Sequence, residues 1–231
     1  MDKMLQAAQI ALDVPLRYLN SGSNMAIAAL AGAKQFVLLQ HYPAKDVIDL
    51  VHHTRFFYHG HSCRNQHQNE HGHFHIFVYF PESKTALSEV ENFSHLVALS
   101  LDEKGQALRW FTTNRWVTAE TWRPAKELIA LLPGLRLSTN GRLAPVARWL
   151  DAMLILFRPQ IESLLLERDV VLAKEVNLQS QLPAKQQIKM QHEHAVFDNR
   201  EIDVISECPA SLHAHLQKMM SIPTTIELKN I

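Results

Sequence analysis

Eight of the fourteen histidines, His52, His53, His59, His61, His67, His71, His73 and His75, fall between residues 52 and 75 of a 231-residue chain. Proportional scatter would put about one or two there, so composition alone does not account for the cluster. Imidazole is the commonest protein ligand for borderline transition metals, and alternate residues of a strand face the same side. In the run 71–80, parity places His71, His73, His75, Phe77 and Tyr79 on one face and Gly72, Phe74, Ile76, Val78 and Phe80 on the other. One face is apolar, and the other presents three imidazoles in a row. The run 55–61 adds His59 and His61, and Glu70 immediately precedes the triad.

These residues predict a site for a divalent metal ion, zinc or iron, with His59, His61, His71, His73 and His75 as the candidate ligands. His71 and His75 are separated by about 13 Å at roughly 3.3 Å per residue, near the limit for reaching one ion. Two of the triad with His59 or His61 are therefore expected to hold the ion. The remaining histidine is left as proton carrier or substrate contact, and Glu70 as ligand or general base. Glu70, His73 and Arg115 are the candidate catalytic residues. Arg115 enters because the run 111–118 is polar for a strand and places Thr113 and Arg115 on one face, where a guanidinium can clamp a carboxylate or phosphate. A solvated edge strand is the plain alternative. His95 could complete a ligand set, and Cys63 is a soft ligand or a bystander. Taken singly, His41, His52, His53, His67, His192, His194, His213 and His215 read as polar residues on wet faces.

A metal-free reading competes. His71-Gly72-His73-Phe74-His75-Ile76-Phe77 resembles the His-φ-His-φ-His-φ-φ signature of the histidine-triad nucleotide hydrolases and transferases, which implies His73 as nucleophile toward phosphorus. Gly72 departs from that pattern, and the block sits earlier in the chain than in that family. A third reading is a non-catalytic module that buffers or senses metal.

The elements that must position the cluster follow from periodicity. Leu5, Ile10, Leu12 and Leu16 predict a first helix, residues 21–24 a break with an N-cap, and residues 25–39 a second helix. Pro43 suggests a short third helix carrying Asp46, Ile48, Leu50 and Val51. The period then becomes two, giving a meander over 55–61, 71–80, 96–101 and 108–117, with residues 102–105 as a hairpin turn. Pro124 and Pro145 open two further helices, Pro159 should kink the second, and residues 201–206 suggest a returning strand. The expected fold is α+β: an antiparallel sheet of about four or five strands flanked by N-terminal and C-terminal helices. Residues 1–180 are expected to form one domain, and 181–231 a linker and extension packed back on it.

Bulk properties narrow the class. Lysine plus arginine and aspartate plus glutamate number 23 each, so no net field draws the chain to nucleic acid or anionic lipid. Hydrophobic residues are 47% and charged ones 20%, ordinary for a globular protein that needs no metal merely to fold. Two cysteines far apart argue against a disulfide framework, and no apolar run reaches the roughly twenty residues of a membrane span. A cytoplasmic protein acting on a small molecule is expected, with no nucleic-acid or membrane partner and an oligomeric state the sequence leaves open.

Several blocks also belong together. His41-Tyr42-Pro43 with Asp46-Val47, Tyr58-His59-Gly60-His61, Glu70-His71-Gly72-His73-Phe74-His75, His95-Leu96-Val97-Ala98 and the run 111–118 resemble an uncharacterised bacterial family of unknown function. The resemblance covers most of residues 35–170, with the Glu-His-Gly-His-Phe-His block its most specific part. It implies no activity, substrate or metal.

Overall fold

The computed structural model describes residues 2–61, 69–80, 92–180 and 196–221, with the backbone alone for 177–180. Among the described residues, six strands form one antiparallel sheet in simple sequence order: β1 (Tyr42–Asp49), β2 (Thr54–His59), β3 (Glu70–Tyr79), β4 (Phe93–Asp102), β5 (Ala107–Thr113) and β6 (Val204–Pro209). The helices lie before and after the first five strands: α1 (Lys3–Asn20), α2 (Met25–Ala29), α3 (Arg115–Thr118), α4 (Ala125–Leu131), α5 (Ala144–Leu156), α6 (Arg158–Ser180) and α7 (Leu212–Ser221). This is the expected α+β arrangement of an antiparallel sheet flanked by helices.

The sheet has one greasy face, as the alternation of Phe74, Ile76 and Val78 requires. These three join Phe56, Tyr58, Leu99, Leu101 and Trp110 in a single core with Ala7 and Ala11 of α1 and Val146, Trp149, Leu150 and Met153 of α5. Small residues on α1 let it lie close against α5. Asp2 caps α1 by accepting from the Met4 N–H, and Asn24 caps α2 by accepting from the Ile27 N–H. Gly105, at φ +77°, supplies the left-handed turn between β4 and β5.

Three elements differ from the sequence reading. The helix expected over 25–39 stops at Ala29, because Ala31 and Gly32 both take positive φ (55° and 91°). The third helix expected from Pro43 is strand β1, whose Val47 and Ile48 pair with Phe56 and Arg55 at the sheet edge. Pairing with a neighbouring strand outweighed a weak local preference. Strand β5 ends at Thr113 rather than near 117, since the Asn114 side chain accepts from the Arg115 N–H and caps α3. Pro159 does break the helical run, between α5 and α6.

Candidate metal centre

The register between β2 and β3 sets His59 directly opposite His73, with His75 one step along the same face. One ligand atom from each of His59, His73 and His75 can be chosen so that all lie within 4.8 Å of one another. The ring centroids are 4.6 Å (His59–His73), 4.8 Å (His73–His75) and 5.0 Å (His59–His75) apart, meeting edge to face. His59 Nε2 and His75 Nε2 are 3.1 Å apart. Two nitrogens bonded to one ion at about 2.1 Å stand roughly 3.0–3.4 Å apart for angles between square and tetrahedral, so this spacing suits a shared ion.

Two irregularities between β3 and β4 decide which imidazoles face the site. Glu70 pairs with Asp102 and Gly72 with Leu101, which leaves His71 as an extra residue. The bulge turns His71 off the face of His73: its Nδ1 lies 2.8 Å from Tyr58 Oη and its ring stacks on Phe36 at 4.3 Å. His71, a candidate ligand on simple alternation, therefore stands outside the group, and Glu70 takes its place beside His73. Further along, Ile76 pairs with Val97 and Phe77 with His95, leaving Leu96 extra. Both Leu96 and Val97 enter the core, and His95 swings to the histidine face. Gly72 is required where it stands, because a Cβ there would meet His59 O at 2.6 Å and the Tyr58 ring at 2.8 Å.

Buried partners aim the three rings. The Glu70 carboxylate accepts from His73 Nδ1 at 2.6 Å and from Arg109 Nη2 at 3.3 Å, and Arg109 also pairs with Glu207. With its Nδ1 hydrogen held by Glu70, His73 presents Nε2 to the site. His75 Nδ1 lies 3.0 Å from His95 Nε2, and the His95 backbone N–H donates to the buried Glu120. Burial, helped by neighbouring imidazoles, pushes His59 down to about 2 and holds His75 well below its ordinary value. Burial and the Arg168 charge bring His95 to about 3. These rings are neutral and offer lone pairs, the form in which histidine binds metal. Burial alone would raise Glu70, but His73 and Arg109 overcome it and keep the carboxyl below its usual range.

The group opens into a cavity of about 320 Å³ lined by Leu39, His59, His61, Glu70, His73, His75, Arg109, Phe111, Thr113, Trp116, Val117, Asp203 and Val204. His61 lies on its wall, 5.0 Å from the His73 ring and outside the tight group of three. Arg115 does not reach the cavity: it pairs with Asp198 at 2.6 Å and sits over Phe197. The α3 turn that ends β5 takes it off the face of Thr113. Cys63, His67, His192 and His194 lie outside the described residues.

Sequence reasoning missed Arg109 and Asp203. Arg109 was readable, because Arg109, Phe111 and Thr113 alternate on β5 and the face that holds Thr113 must hold Arg109. Nothing local marked Asp203, which arrives only when β6 closes on β5 and pairs Val204 with Thr113.

The fold and site define an α+β protein with a three-histidine group, two of its rings buried and the three able together to hold a metal ion, on the face of its sheet opposite the core. No helix among the described residues is long and apolar enough to cross a membrane. The family model described as "Domain of unknown function (DUF6969)" matches residues 5–210, and the chain belongs to that family. No curated protein and no solved structure matches it.

Proposed function

We propose that this protein is a metalloenzyme that holds one divalent ion through His59, His73 and His75 and admits a small-molecule substrate through the adjoining cavity. The carrying observation is the convergence of three imidazoles, with nitrogens within 4.8 Å, at the wall of a 320 Å³ cavity. Three protein ligands facing an open space are the pattern of catalytic rather than structural sites, which close the fourth position with another side chain. Such an ion supplies a Lewis acid and an activated water. Among the described residues no carboxylate completes the group, and Glu70 is engaged in orienting His73, so the set departs from the two-histidine, one-carboxylate arrangement of non-haem iron oxygenases. Zinc and hydrolytic chemistry fit best. Burial of His73 and His75 also disfavours a metal buffer, whose ligands should exchange freely with solvent.

Metal-free phosphoryl transfer on a histidine triad needs three imidazoles along one face, and the bulge at His71 removes the first of them. The test is elemental analysis of protein purified without an affinity tag. One ion per chain is expected, lost in His73→Ala with the far-ultraviolet circular dichroism retained. Absence of stoichiometric metal, both as purified and after reconstitution with zinc, cobalt or iron, would overturn the proposal.

A further inference from the structure

The cavity beside the candidate ligands has two unlike ends, and the contrast names what it holds, given that His59, His73 and His75 carry an ion as proposed. Along β5 the residues that face it run Arg109, Phe111, Thr113. Arg109 marks the charged end, where its two terminal nitrogens are hydrogen-bonded to the carboxylates of Glu70 and Glu207. Two carboxylates, Glu70 and Asp203, line the cavity with this one guanidinium. Among the described residues the lining therefore carries no surplus of positive charge to draw an anion.

From Phe111 onward the lining turns apolar. His75 pairs with Ala98 and Ala98 with Phe111, and the small alanine between them leaves room for the Phe111 ring to stand edge-on to His73 and His75, with centroids at 5.3 and 6.4 Å. The apolar end thus begins at the ligands themselves. Thr113, about 7 Å further along the strand, pairs with Val204 of β6, and α3 follows with Trp116 and Val117. All four line the same cavity as the three imidazoles. Their polar atoms are engaged elsewhere: Trp116 Nε1 donates to Ile202 O at 2.9 Å, and Thr113 Oγ1 lies 3.3 Å from His95 Nδ1. Backbone contacts hold this wall in place, since the Trp116 N–H donates to Phe197 O at 3.1 Å and Asn114 Nδ2 to Val196 O at 2.9 Å. A cavity of 320 Å³ stands at the small end of ligand pockets, roughly 300–1,000 Å³, so its occupant is short. We infer that the site takes an uncharged acyl compound, whose carbonyl head meets the ion and whose short aliphatic or phenyl arm lies against Phe111, Trp116, Val117 and Val204.

The experiment titrates full-length, cobalt-loaded protein with hydroxamates that share one ion-binding head and differ in the arm, followed by the visible spectrum of the cobalt. In wild type the affinity should rise about threefold for each methylene added between acetohydroxamate and hexanohydroxamate. Benzohydroxamate should bind about tenfold or more tightly than acetohydroxamate. Succinate monohydroxamate, which ends its arm in a carboxylate, should bind about tenfold more weakly than butyrohydroxamate. Val117→Trp, which fills the recess, should cut the preference for hexanohydroxamate over acetohydroxamate by about tenfold. Equal affinities across the wild-type series, or no spectral response to any member, refute the inference without any variant having to fold and spare the metal centre. A succinate derivative as tight as butyrohydroxamate overturns the uncharged arm, and a preference left intact in Val117→Trp at full cobalt content overturns the recess. Failure of the wild type to bind cobalt or zinc at all removes both the inference and the metal centre.

Discussion

Acid should destabilise the metal-free protein through the buried rings of the candidate group and His95 beside them. His95 is wholly buried and held at about 3, whereas in the unfolded chain it titrates near 6.5. Its folded-state value is depressed, so its contribution is complete above pH 6.5 and is lost as pH falls toward 3. Between pH 7 and pH 5 the unfolded chain takes up a proton that the folded one refuses. The free-energy loss is about 2 kcal/mol for this one ring. His59, held at about 2, adds a similar loss, and His75, displaced in the same direction, adds to both. A loss of about 4 kcal/mol or more is a large share of an ordinary domain's stability, roughly 5–15 kcal/mol. The assay is guanidinium unfolding of chelator-treated protein at pH 7 and pH 5, for wild type and for His95→Gln, whose amide does not titrate. The variant is expected to lose about 2 kcal/mol less than wild type over that interval, whatever its stability at pH 7. Equal losses in the two proteins would mean that His95 is protonated in the native state, and the account of buried neutral imidazoles would fall.

Three further outcomes follow from the packing. Phe74→Ala, at a site 1% exposed within the core, should cost about 3–5 kcal/mol in equilibrium denaturation, and a negligible cost would mean the faces of β3 are reversed. Gly72→Ala should cost about 1–3 kcal/mol, because its Cβ would press on the His59 carbonyl, and it should lower metal content along with stability. Glu70→Gln should weaken zinc binding by about 10–100-fold in calorimetric titration by loosening the orientation of His73; an unchanged affinity would remove Glu70 from the site.

Much of this architecture was legible in the residues. Period-two patterning located β2 to β5, and Phe74, Ile76 and Val78 identified the core face. What alternation cannot report is an extra residue in a strand. His71 and Leu96 each interrupt the pairing of β3 with β4, and each interruption reverses the parity beyond it. Counting by twos therefore placed His71 in the group and left His95 undecided. Arg115 was misplaced for a different reason, since the local polar run gave no warning that Asn114 would cap a helical turn. Asp203 and Val204 depend on β6 meeting β5 across nearly a hundred residues of sequence, a contact that no local pattern contains.

The two bulges also act as keys. A regular ladder can slip by two residues and keep its faces, but a ladder carrying an inserted residue at 71 on one strand and at 96 on the other has a single seating. The positions of His73, His75 and His95 relative to one another are therefore fixed by the backbone before any ion arrives. Were an ion to bind as proposed, little ordering of the strand that carries His73 and His75 would remain to be done. Such a frame would favour slow release and penalise ions whose preferred bond lengths it cannot stretch to meet.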